Sequence, residues 1–235
     1  MILGYIVSKT EYNTLDKKGK YLLEMARNRE ILKKECPRSE RLEALMELCC
    51  GCVVVAEENL RLNMEFENAA LMEEFLTYAE EAEGYDHLLN SLYSTCKRMD
   101  KTVFSHPRLQ ARFKRFFRQV VYRIESAFCD GRELSISSDL SSEISELESN
   151  VWFADNGKWD EIKTTAHLKR DPVEFSRQFE EIIDYVDRKL YNMYRNTPRC
   201  MGFCFEIWSS RKALLAQQGI EWRTPSEMNP GVMFD

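Results

Sequence analysis

The residues able to do chemistry are unevenly spread through this chain. Eight cysteines and three histidines are present. Cys49, Cys50 and Cys52 are crowded into an apolar run, Cys200 and Cys204 lie near the C-terminus, and Cys36, Cys96 and Cys129 stand alone. Four thiolates drawn from the first two groups would suit zinc. Structural zinc sites, however, use paired C-x2-C spacing, and a cluster inside an apolar helix reads better as small hydrophobes. A carboxylate-bridged di-iron centre needs Glu-x-x-His pairs on helices, and none of His87, His106 and His167 follows a Glu by that spacing. There is no G-x-S-x-G, H-E-x-x-H, Gly-rich phosphate loop or Rossmann fingerprint. The pattern predicts no cofactor, no metal and no catalytic residue. A small helical enzyme or metalloprotein with a site built from scattered residues stays open as a third alternative.

Charge is sharply segregated. From Glu57 to Asp86 ten acids stand against Arg61, whereas from Lys97 to Arg123 nine cations are opposed only by Asp100. Within the second stretch, Pro107 suits the first turn of a helix running towards Cys129, with Gly131 as its stop. At 100° per residue, Leu109, Phe113, Phe116, Phe117, Val120, Val121, Ile124 and Phe128 share one arc. Arg108, Arg112, Lys114, Arg115, Arg118 and Arg123 fall on the opposite arc, with no acid among them.

Two readings of this basic face compete. In one it pairs with the acidic region, inside the fold or across an oligomer. In the other it grips the phosphates of RNA or DNA, with little sequence preference. The aromatic residues lend the second reading no support, because their spacing puts them in the core and not on a stacking surface. The net charge of −6 and a pI near 5.4 also weigh against a dedicated polyanion binder.

The C-terminal region is dense in large apolar groups. Trp222, Met228, Val232, Met233 and Phe234 follow the last expected helix, and a chain end this apolar is not left in water. It is expected to cover a groove on the protein's own helices, or else to dock into a partner.

These residues must be positioned by helices. Apolar residues make up 44% of the 235, with only 9 Gly and 6 Pro to break elements, which points to long helices and a substantial core. The expected fold is all-α, an irregular bundle of six to eight helices with an extended C-terminal tail over 221–235. Leu42 to Leu62 is apolar nearly all round and should lie at its centre, although Val53 to Val55 would also suit a buried strand. Met1 to Val7 is a short strand or an apolar lead-in. Residues 1–235 read as a single helical domain, and a Ser-rich connection near 131–156, with one short helix, is where a subdivision would fall. Trp152 and Trp159 are expected to hold that connection to the body. Asp171-Pro172-Val173-Glu174 reads as a helix start, continuing through Phe175 to Met193.

The N-terminal residues lack the pattern of a signal peptide, and no run approaches the roughly 18 apolar residues of a membrane span. Free thiols fit a reducing compartment, so a cytoplasmic location is expected. The leading functional expectation is a non-catalytic binding protein, acting through its charged helical surfaces and apolar tail. Its partner would be another protein or a second copy of itself, with nucleic acid as the alternative and no membrane role.

Overall fold

A computed structural model describes residues 16–128, 135–164 and 167–234. The Met1 to Val7 segment and Cys129 lie outside them. The described elements are helical, with no strand among them. They are α1 (Lys17–Leu32), α2 (Arg38–Arg61), α3 (Asn68–Ala82), α4 (Leu89–Met99), α5 (Pro107–Phe128), α6 (Ser135–Asp155), α7 (Arg177–Tyr194), α8 (Phe203–Ala216) and the four-residue α9 (Pro225–Met228), with short 3-10 turns between. No described helix is long and apolar enough to cross a membrane.

Helix α2 is the axis. Leu45, Leu48, Cys49, Cys52, Val53, Val55 and Ala56 are all buried, and α1, α3 and α4 pack around it. The Val53 to Val55 run is helical, because neighbours surround it on every side. Gly51 allows α1 to approach closely: a Cβ there would meet Met25 Cγ at 2.5 Å. The resulting core also takes in Phe75, Leu92, Met99, Phe113, Val120 and, from α6, Leu140. A second core lies between α7, α8 and the chain end, built on Phe179, Ile183, Val186, Leu215, Ile220 and Trp222.

Four expectations from the sequence need correction. The Ser-rich stretch is not a surface connection but the 21-residue helix α6. Its serines mostly face water, while Leu140, Ile144 and Ala154 are buried at helical spacing. That sparse stripe is easily overlooked among polar residues. The stretch does fold onto the body, packing along α5, but Trp152 and Trp159 stay about half exposed and are not its main anchors; Trp152 packs edge-on against Phe153 and carries the Lys158 ammonium over its ring.

Asp171 does cap a helical start, accepting from the Val173 amide at 3.2 Å, but only a single 3-10 turn follows. Ser176 then takes an extended backbone, its hydroxyl accepts from the Phe179 amide, and α7 begins afresh. Two competing caps five residues apart thus replace one long helix with a turn and a helix. The tail, lastly, is not extended throughout. Thr224 and Glu227 form a reciprocal capping box that folds α9.

A buried amide pair fixes the first core. Asn59 and Asn68 are fully enclosed. The Asn59 Nδ2 donates to Asn68 Oδ1 at 2.9 Å. Asn68 Nδ2 in turn donates to the carbonyls of Ala56 at 3.1 Å and Thr102 at 2.9 Å, and the Lys18 ammonium reaches Asn59 Oδ1 at 2.6 Å. One side chain thereby joins α2, α3 and the segment entering α5. Asn68→Ala should cost about 2–4 kcal/mol, since it strands two carbonyls and an amide away from water. Urea denaturation checks this, and a loss below about 1 kcal/mol would show that the network is dispensable.

Candidate functional site

The predicted basic face of α5 is present, but its cations are engaged within the chain. The amide of Arg108, in the first turn of α5, donates to Glu180 Oε1 at 3.0 Å, so a carboxylate from α7 satisfies a free N–H where the helix dipole is positive. The guanidinium of the same residue reaches Glu180 Oε2 at 2.7 Å, the Phe175 carbonyl at 3.1 Å and the Asp155 carboxylate. Arg112 meets Glu80 at 3.1 Å and Arg115 meets Glu148 at 2.5 Å. Arg123 holds both Glu83 and Asp86. Lys114 is buried between Asp100 and Glu143, each at 2.7 Å. Burial lowers the pKa of that ammonium, and the two carboxylates outweigh it to leave the pKa raised. Arg118 differs in donating to a neutral group, Ser141 Oγ, at 3.3 Å. A phosphate backbone would have to break most of these pairs to bind. Arg112 and Arg123 thus pair with the Glu57 to Asp86 region, whereas Arg108, Lys114 and Arg115 take acids from outside it.

Most of the predicted docking tail is folded onto its own chain. Trp222 is buried in the second core, with its Nε1 donating to Glu174 Oε1 at 2.9 Å. The Arg223 amide donates to Asp171 Oδ2 at 2.5 Å, and Asn229 exchanges hydrogen bonds with both backbone groups of Lys169. Met228 is half-buried. The Phe234 ring stands edge-on to Trp208 at 5.1 Å. Val232 is exposed, as is Met233 (95%), and together with Met201 (90%) and Phe205 they leave apolar side chains facing water.

The thiols give no reactive centre in the first core. Cys49, Cys52 and Cys96 are buried, and burial raises each pKa strongly, so they stay protonated. Among the described residues no three His, Cys, Asp or Glu side chains come together as a metal site.

A cleft that sequence reasoning did not find lies between the two cores. It encloses about 580 Å³ and is bounded by the turns at 61–66 and 102–106 on one side and by α7, α8 and their connection on the other. It is more enclosed than two wider grooves, one beside α2 and α4 and the other beside α5 and α6. Two charge pairs form its floor. His106 Nε2 meets Asp184 Oδ2 at 3.4 Å, and Arg211 Nη2 donates to Asp187 Oδ1 at 2.6 Å. The Arg211 guanidinium lies over the Trp222 ring, 5.8 Å from its centroid, so the docked tail backs the floor of the cleft. Burial raises the Asp187 pKa against the opposing pull of Arg211.

Arg211 Nε is buried without a hydrogen-bond partner. Above the floor stand Phe104, which is 55% exposed, and Tyr191 and Tyr194. No sequence signal marked this place, because its residues come from three separate segments, 61–66, 102–106 and 184–211, and no motif spaces them.

No family model, curated protein or solved structure matches the chain. The site must be read from its own residues.

Burial lowers the His106 pKa, but its hydrogen bond to the Asp184 carboxylate and the charges of Asp184, Glu180 and Asp187 outweigh that and leave it raised. A raised folded-state value means that stabilisation is complete below the unfolded pKa and is lost as pH rises through the folded one. Asp184→Asn should therefore destabilise the protein more at about pH 5.5 than at about pH 8.5. Denaturation at both pH values reads this difference, and an equal loss at both would show that the pair does not titrate with folding.

Proposed function

We propose that this protein is a non-catalytic binding protein whose ligand enters the cleft between its two cores. The observation that carries this reading is an enclosed cleft of about 580 Å³ whose lining leaves the Phe104 ring and the Arg195 and Arg199 guanidiniums exposed. A cleft of this size with a few convergent polar groups is the usual form of a ligand site.

Binding suits the lining better than turnover does. His106 Nε2 is engaged by the Asp184 carboxylate at 3.4 Å. The Thr102 hydroxyl is occupied by the Met99 carbonyl at 2.8 Å, and the Tyr194 hydroxyl by Ser210 at 2.7 Å. The expected action through charged helical surfaces is weakened by the pairing of α5, and the tail serves the reading as support for Arg211. The exposed Met201, Phe205 and Met233 offer a protein partner a second, apolar surface.

Amide hydrogen exchange on the purified chain, with and without the low-molecular-weight fraction of a cell extract, tests the cleft directly. Protection should rise in 61–66, 102–106 and 184–211 and stay unchanged in α1 and α3. Unchanged exchange in the three cleft segments would overturn the reading.

A further inference from the structure

Resting on the cleft reading, we infer that the ligand is an aromatic ring system bearing a phosphate, of the nucleotide class. The cleft holds two sets of groups that differ in chemistry, and each has members that the fold leaves without a use. The first is aromatic. Phe66, Phe104, Tyr191, Tyr194 and Phe203 all line the cleft. Phe66 and Tyr191 pair at 5.7 Å between ring centroids, and Tyr194 and Phe203 meet edge-on at 5.6 Å. Phe104 is the ring left mostly in water, and a planar ligand stacked on it would cover that face, as bases cover aromatic side chains in nucleic-acid and nucleotide sites.

The second set is cationic. Arg195 and Arg199 sit at the end of α7 and in the connection to α8, both exposed, and no described carboxylate pairs with either. The acids in the cleft are largely spent, Asp184 on His106 and Asp187 on Arg211. Glu65 is an exposed acid on the rim, and Arg61 is engaged by Glu58. The charge left over is therefore positive and supplied by guanidinium groups, whose planar forks match phosphate oxygens. An amine ligand would find Asp184 and Asp187 already taken, with Glu65 alone on the rim against two exposed arginines. A purely apolar ligand would leave Arg195 and Arg199 unanswered. A ring that carries phosphate answers both sets.

The test is isothermal titration of the full chain with the four nucleoside 5′-monophosphates, with adenosine and with inorganic pyrophosphate, at low salt. At least one monophosphate should bind at a single site, ten times or more tighter than either adenosine or pyrophosphate. Arg195→Ala combined with Arg199→Ala should weaken that binding at least tenfold, and Phe104→Ala several-fold. All three side chains are exposed, so the melting temperature should stay within a few degrees and serves as the folding control.

No binding of any monophosphate at millimolar concentration would overturn the inference. So would pyrophosphate binding as tightly as the monophosphates, or affinity unmoved by both variants. If extract protects the cleft from exchange while no monophosphate binds, the ligand class falls and the cleft reading stands. If neither has an effect, both fall.

Discussion

The basic arc of α5 is the constraint on which the rest of the structure depends. An amphipathic helix with an aromatic face towards the first core must present its opposite face to something, and here that face carries Arg108, Arg112, Lys114, Arg115, Arg118 and Arg123. Acids from α3, from the α4 end, from α6 and from α7 come to meet it. The helix is thus held by apolar packing on one side and by charge pairing on the other. The pairs are not equal in weight. Exposed ones such as Arg115 with Glu148 contribute little, whereas Lys114 and Arg108, partly withdrawn from water and multiply bonded, would leave uncompensated charge if either partner were removed.

Arg108 matters most because it reaches beyond the first core. Its contacts to Glu180, to the Phe175 carbonyl and to Asp155 tie α5 to α7 and to the end of α6, and the neighbouring His106 adds Asp184. These bonds set the two cores side by side, and the cleft is the space left between them. Its floor is made of residues that also hold the seam, so the site and the junction share one electrostatic network. The chain end joins that network too, since Trp222 lies beneath Arg211 while donating to Glu174.

Much of the fold was legible from residue pattern, and the reasons are local. The Leu42 to Leu62 segment is apolar enough to have only one place to go, and Pro107 and its aromatic arc define α5 almost to the residue. What was hidden depended on partners far along the chain. The stripe of Leu140, Ile144 and Ala154 becomes meaningful only with α5 beside it. Asp171 looked like the start of a long helix because its carboxylate's other role, accepting from Arg223, lies 52 residues away. The cationic arc was visible, but its surroundings were not: sign and spacing on one helix do not disclose whether the opposite charges are on the same molecule. The cleft was the least legible feature, since His106, Asp184, Asp187 and Arg211 have ordinary flanking residues and acquire their meaning only by proximity.

The central claim is that α5 spends its cations inside the fold, with Arg108 and Glu180 holding the junction that shapes the cleft. A double-mutant cycle between Arg108→Ala and Glu180→Ala, read by urea denaturation, measures this pair with the packing losses of each single variant cancelled. The account predicts a coupling of about 1.5–3 kcal/mol, as for a partly buried, charge-assisted double contact. Coupling indistinguishable from zero would contradict it, since it would mean that the two side chains contribute independently and that something other than this pair sets the cores together.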